Sequence, residues 1–263
     1  MNNISAAKET IKITEKGSYT IAGKEVKLTG APFDKVEVCT PEKGGELIKR
    51  PVPDGDMCRI IVTNEDSFSA ASRYERPYVM NFANAHKAGG GFMLGANTQE
   101  ESLCRCSTLY ASIHSDKAAE MYRYNNTHLS TVESDYMLYS PEVCVFRSKD
   151  LELLEEPFQA SVITTPAPNR YGAAFIASKQ TVEETFLRRI RIVLRIAEEH
   201  GHKNLILGAW GCGAFGNKPD EVAECFRKVL IDEGLGRAFD EVCFAVYGST
   251  DGKNYKAFVE VFK

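Results

Sequence analysis

From residue 58 onward, short apolar runs alternate with stretches of helical periodicity, and this alternation constrains the fold more than any other feature. Ile60–Thr63, Tyr78–Ala83, Ala160–Thr164, Leu205–Leu207 and Val242–Tyr247 are short and apolar and read as strands. Between them, Val182, Phe186, Ile190, Val193, Leu194 and Ile196-Ala197 recur at helical spacing over 181–200, with Gly201 as a natural stop. Further helices are expected over 70–74, 101–114, 219–232 and 254–262. Met137–Tyr139 and Val143–Phe146 read as two strands parted by a turn at Pro141. Alternation of this kind predicts a parallel or mixed central sheet with helices on both faces, a three-layer α/β/α body. Sheets so built bind ligands in crevices at the carboxyl ends of their strands. Ahead of this body, residues 3–15 read as a helix ended by Gly17, Tyr19–Ile21 and Val26–Leu28 as a hairpin, and 30–56 as loop.

Composition removes several function classes. Of 263 residues, 43% are hydrophobic and 26% charged, as in ordinary globular proteins. The formal net charge is −4, which argues against direct nucleic-acid binding over a broad basic face. The eight cysteines form no C-x-x-C pair, and Cys104 and Cys106 have no companion pair at zinc spacing. They read as reduced thiols of a cytoplasmic protein, and no metal or cofactor is expected. No apolar run has the length to span a bilayer, and the first residues lack the apolar core of a secretion signal.

The most informative segment is Gly89-Gly90-Gly91 with Gln99-Glu100-Glu101 following it. Three glycines after a strand permit unusual backbone angles and close approach of a ligand, and their N–H groups can line an anion-binding nest. A helix starting near Gln99 adds its own free N–H groups. Two adjacent carboxyl groups there feel the positive helix end, which favours ionisation, and each other, which opposes it; at least one is expected to titrate high. The same residues are also ordinary capping features beside a flexible loop, and chemistry alone separates the two readings only modestly. Asn81 and Asn84 flank the strand end, where they either reach ligand hydroxyls or satisfy local backbone. His86 reads as an exposed loop residue, and the sequence leaves open whether Tyr122–Asn126 is a surface loop over the cleft.

A second glycine-rich turn, Gly211-Cys212-Gly213-Ala214-Phe215-Gly216, matches the G-x-G-x-x-G pattern between a strand and a helix. A Rossmann dinucleotide site is disfavoured: only one more strand follows, and Asp232 and Glu233 sit at a helix end rather than a strand end. The same backbone serves the diphosphate of another ligand. Phe215 packs either on a sugar or base or into the core. Cys212 is either a reactive thiol at a helix start or a small neutral filler.

The run VMNFANAHKAGGGFMLGANTQEESLCRCSTLY at 79–110 resembles the bacterial-type poly(ADP-ribose) glycohydrolases, whose signature is three glycines followed by Gln-Glu-Glu. AKETIKI at 7–13, VTNEDS at 62–67, YSPEVCVFR at 139–147, ITTPAPN at 163–169 and LGAWGCGAFGNKP at 207–219 are similar to further family blocks in the family's order. The resemblance implies a macrodomain with an N-terminal extension, here 1–75 packed as a cover on an ADP-ribose-binding catalytic domain at 76–263. It implies that Glu101 is the catalytic glutamate and Glu100 its partner. Gln99, Asn81, Asn84, Gly89–Gly91 and Gly211–Gly216 would then bind substrate, the second turn holding the diphosphate. The implied substrate is poly(ADP-ribose) on modified proteins, cleaved at the ribose–ribose bond. Hydrolysis of mono-ADP-ribose and non-catalytic reading of ADP-ribose are the competing functions. The retained Glu pair speaks against a pure reader, since binding alone needs no proton donor.

Overall fold

The computed structural model describes residues 1–263. Its elements are α1 (Asn3–Lys16), β1 (Ser18–Ile21), β2 (Lys24–Lys27), β3 (Glu37–Cys39), α2 (Pro41–Leu47), β4 (Arg59–Thr63), α3 (Ser67–Ala71) and β5 (Tyr78–Phe82). They continue with α4 (Gln99–Cys106), α5 (Leu109–Ile113), α6 (Ala119–Thr127), β6 (Met137–Arg147), β7 (Leu153–Thr165), α7 (Lys179–Glu199), β8 (Asn204–Leu207), α8 (Pro219–Arg227), β9 (Glu241–Ala245) and α9 (Lys253–Val261).

Seven strands form one sheet in the order β3-β6-β7-β5-β8-β9-β4. From β7 to β4 every neighbour pair is parallel, while β6 runs antiparallel to both β3 and β7. Successive residues of the inner strands point to opposite faces, and both faces are apolar. Tyr78 and Met80 of β5 and Val242 and Phe244 of β9 join a core with Val193 of α7, Phe226 of α8 and Phe258 of α9. Val79, Cys243 and Ile206 join a second core with Ala7 of α1, Phe68 of α3, Leu103 of α4 and Met121 of α6. Burial on both sides is why these strands read as continuous apolar runs. The body is thus a mixed sheet between two helical layers, a macrodomain-like α/β/α fold.

Several expectations are corrected. Residues 30–56 are mostly loop, but they also carry β3, which forms one edge of the sheet, and α2, which starts at Pro41 behind the Thr40 cap. Thr40 accepts the Lys43 N–H, and proline is well placed in a first helical turn. With β4 at the other edge, both sheet edges come from the first 75 residues, so a boundary at 75 cuts the sheet. Of the strands in the first 75 residues, only the β1–β2 hairpin stands apart from it. Pro141 makes a bulge rather than a turn: β6 runs on through it with a register shift between Ser140 and Val143, and Glu142 takes φ 46°. The helix expected over 101–114 is two helices, because Ser107 turns extended (φ −151°) and bridges to Val145. Residues 122–126 belong to α6 and are not a loop; Tyr122 and Asn125 are buried on it. The helix over 219–232 ends as a π-turn from Lys228.

Candidate active site

The carboxyl ends of the five parallel strands open on one cavity of about 520 Å³. Asp66, Phe82, Ala167, Gly211 and Tyr247 contribute to its lining, one from beyond or at the end of each strand. The start of α4 supplies Asn97, Thr98 and Gln99, and the second glycine turn supplies Gly213, Ala214 and Phe215. The head of α4 and the second glycine turn therefore meet across a single cavity. Neither Gly89–Gly91 nor the two glutamates reach its lining; they pack against Thr98 and the residues around it.

Glu101 folds back on the start of its own helix. Its Oε1 accepts the Gly91 N–H at 2.9 Å, and its Oε2 accepts the Thr98 N–H at 3.1 Å and the Thr98 hydroxyl. This is the third-position glutamate of a capping box, yet it is only 6% exposed. Glu100 is 2% exposed. Its Oε2 accepts the Asn84 N–H at 2.8 Å, and its Oε1 lies 3.5 Å from Asn81 Nδ2. Glycine is required between them. Gly90 has φ 52°, and a Cβ there would stand 2.6 Å from Glu101 Oε1 and 3.2 Å from Glu100 Oε2. Gly89 (φ 66°) lies against the Tyr110 ring and Gly91 against the Ala96 methyl.

Burial pushes the Glu100 carboxyl up to about 8; the nearby Glu101 adds to this and the Asn84 N–H opposes it. One of the pair does titrate high, as expected, but desolvation outweighs the neighbouring charge. The consequence for stability has a definite sign. The folded state holds this proton more tightly than the unfolded chain, so the contribution is complete below the ordinary carboxylate range. It is lost as pH rises toward about 8. The thermal midpoint should fall between pH 5 and pH 8, and Glu100→Gln, permanently neutral, should flatten that fall. A melting profile in which both proteins show the same slope would exclude Glu100 as its source.

Other expected site residues have settled roles in this geometry. The Gln99 amide is engaged by the scaffold: Oε1 accepts the Phe82 N–H at 2.9 Å, while Nε2 donates to Met80 O at 2.7 Å and Ser67 Oγ at 3.1 Å. It locks α4 to β5. The Asn84 side chain accepts the His86 and Lys87 N–H groups, which is the local-backbone alternative. Asn81 is fully buried, donates to Thr164 Oγ1 at 3.1 Å and leaves its Oδ1 without a partner.

The second turn is rigidly held. Gly211 (φ 73°) has no room for a Cβ, which would meet Ala167 Cβ at 2.6 Å and Asn217 Nδ2 at 2.7 Å. Asn217 Nδ2 donates to Pro168 O at 2.8 Å and Gly211 O at 3.1 Å, and Phe215 O accepts the Arg170 N–H at 2.8 Å. Gly216 (φ 70°) lies under the Tyr171 ring. Phe215 lines the cavity and packs on the core. Cys212 is a filler: it is buried, and burial pushes its thiol up to about 12. Trp210 is core, fully buried edge-on to Phe186.

Sequence reading missed the outer wall of the cavity. Lys149 and Asp150 reach it from the β6–β7 turn, and Tyr247 and Asn254 from the end of the chain. Asp66 also caps α3, accepting the Phe68 and Ser69 N–H groups. No group of three or more His, Cys, Asp or Glu side chains is arranged to hold a metal ion. No helix is long and apolar enough to cross a membrane.

A mixed sheet between helical layers, with the head of α4 and the 211–216 glycine turn facing one cavity at its strand ends, defines a macrodomain-like ligand-binding protein with a buried acidic pair. Residues 7–148 match the family model for the microbial-type PARG catalytic domain, and the chain belongs to this family. It is similar to poly(ADP-ribose) glycohydrolase from Thermomonospora curvata at 37% identity, over 99% of each chain, with a TM-score of 0.91. The same enzyme bound to the inhibitor ADP-HPD matches at 36% identity over 98% of each chain, TM-score 0.89. The Deinococcus radiodurans enzyme in complex with ADP-ribose matches at 37% identity, over 88% of this chain and 95% of that one, TM-score 0.81. No curated protein matches the chain.

Proposed function

We propose that this protein is a poly(ADP-ribose) glycohydrolase that cleaves the ribose–ribose O-glycosidic bond and releases ADP-ribose. The observation that carries the reading is the Glu100–Glu101 pair, buried on Gly90 and Gly91 at the head of α4. Beside it opens a cavity whose far wall is a diphosphate-sized glycine turn. Binding alone gives no reason to bury two carboxyl groups on a glycine loop.

The ligand's diphosphate lies against the N–H groups of the 211–216 turn. The distal ribose then faces the head of α4. Glu101, protonated, donates to the departing ribose oxygen as the C–O bond breaks, and the sugar carbon passes through an oxocarbenium-like state. Water adds to that carbon and returns its proton to Glu101, so the enzyme is regenerated. Glu100 and Asn81 keep the sugar in register. Two carboxyl groups on opposite sides of a bond are usually about 5–9 Å apart, whereas these are sequence neighbours on one helical turn. One glutamate therefore makes both proton transfers, with the diphosphate steadying the cation. The substrate reaches the site on ADP-ribosylated proteins. Eight unpaired, buried cysteines favour a reducing compartment and hence the cytoplasm.

The test is incubation with an automodified polymer-bearing acceptor and, separately, with a singly modified one. Free ADP-ribose should appear from the polymer, and the last protein-linked unit should persist. Release from the singly modified acceptor alone would make the protein a mono-ADP-ribose hydrolase. Binding of free ADP-ribose with the polymer left intact would make it a reader.

A further inference from the structure

The aim of Glu101 depends on the Gly91 and Thr98 N–H groups, which bracket a loop whose only regular structure is a 3₁₀ turn at Phe92–Leu94. Something else must hold this loop still. Arg105, one turn beyond Glu101 on α4, is 1% exposed. Its guanidinium turns to the loop and not to the carboxylate: Nη1 donates to Ala96 O at 2.5 Å, and Nη2 to Asn97 Oδ1 at 2.6 Å. It has no carboxylate partner. A buried cation answered only by neutral acceptors is costly, and an aliphatic side chain would fill the same space more cheaply.

The N-terminal helix holds the same unit from outside. Thr10 Oγ1 donates to Arg105 O at 2.6 Å, and Asn3 Nδ2 to Gly95 O at 3.1 Å. Ile4 lies where a Cβ on Gly95 (φ 81°) would stand, 2.9 Å from its Cγ1. Thus α1 grips both the loop and the helix residue that anchors the loop.

We infer that Arg105, held by α1, is a positioning residue for hydrolysis. It fixes 95–97 so that Gly91 and Thr98 present their N–H groups to Glu101. This rests on Glu101 as the acid and base of the reaction. The Coulomb field of the guanidinium also reaches Glu101.

The experiment compares Arg105→Met, Arg105→Lys and Thr10→Val in the full chain. The readouts are kcat and KM on polymer, the dissociation constant for free ADP-ribose and the thermal midpoint. Arg105→Met should lower kcat by about tenfold or more, while the ADP-ribose constant, which feels only the loosened Asn97 among many lining residues, moves by less than about threefold. Arg105→Lys should recover part of the rate, since one ammonium reaches one of the two acceptors. Thr10→Val should show a smaller fall with the same split. If Arg105→Met does not fold, the Lys and Val variants carry the test. Parent kcat in folded variants overturns the inference. So does a fall in kcat matched by equal losses in ADP-ribose binding and thermal midpoint, the mark of a merely structural residue. Glu101→Gln is run alongside: full activity there removes the underlying reading, whereas an inactive Glu101→Gln beside a fully active Arg105→Met removes this inference alone.

Discussion

Glu101→Gln will lose hydrolysis by about 10²-fold or more, the contribution typical of a general acid or base, while still binding ADP-ribose. The substitution keeps the shape of the side chain. Its Oε1 can still accept the Gly91 N–H, and the Thr98 hydroxyl can rotate to accept from the new amide. Only the Thr98 N–H faces a donor where it had an acceptor, a cost of about 1 kcal/mol or somewhat more. Neither the cavity nor the 211–216 turn is touched, since Glu101 does not line the former. Release of ADP-ribose from polymer and calorimetric titration with free ADP-ribose measure the two halves separately. Turnover near that of the parent would remove Glu101 from the chemistry. Glu100→Gln makes a useful contrast. With its proton held up to about 8, Glu100 is already neutral near pH 7, so an amide mimics its working state more closely.

How much of this was legible beforehand depended on how local the determinants are. The apolar period of α7, the buried runs β5, β8 and β9, and both glycine turns are written in contiguous residues and were found where they lie. What escaped was set at a distance. β3 is three residues long and is a strand only because β6 lies beside it. β6 continues through Pro141 because β7 resumes pairing at Val143 beyond the bulge. The helix α6 has a weak apolar stripe, but it buries Tyr122 and Asn125, the latter donating to Ala85 O at 3.1 Å. In the site, the residue types and their order were readable, but their orientations were not. Nothing local says that Gln99 faces the β5 backbone, or that Asn84 meets Glu100 through its N–H instead of its amide. The outer wall at Lys149 and Tyr247 brings the β6–β7 turn to the residues after β9, although these strands are not neighbours in the sheet.

Gly90→Ala should cost both stability and turnover. Two independent costs fall on one position. At φ 52° an L side chain is held in the left-handed region, worth roughly 1–2 kcal/mol. The added methyl would also stand 2.6 Å from Glu101 Oε1, closer than Cβ atoms come to other atoms, and 3.2 Å from Glu100 Oε2, a tight contact. Relief requires the loop or the carboxylates to move. Both carboxylates are buried and hydrogen-bonded on the far side, Glu101 to Thr98 and Glu100 to Asn84, so the loop lifts and the Gly91 N–H leaves Glu101. A displacement near 1 Å at a reacting group costs about 10²-fold in rate. The strain alone lowers the thermal midpoint by a few degrees, at roughly 2–4 °C per kcal/mol for a chain of this size. Gly45→Ala is the control: Gly45 sits in α2 with nothing within 4 Å of a new Cβ, and alanine suits a helix better than glycine. It should match or exceed the parent in stability and keep full activity. If Gly90→Ala instead melts and turns over like Gly45→Ala, the three glycines are a tolerant linker, and the close seating of both carboxyl groups on them has no bearing on the reaction.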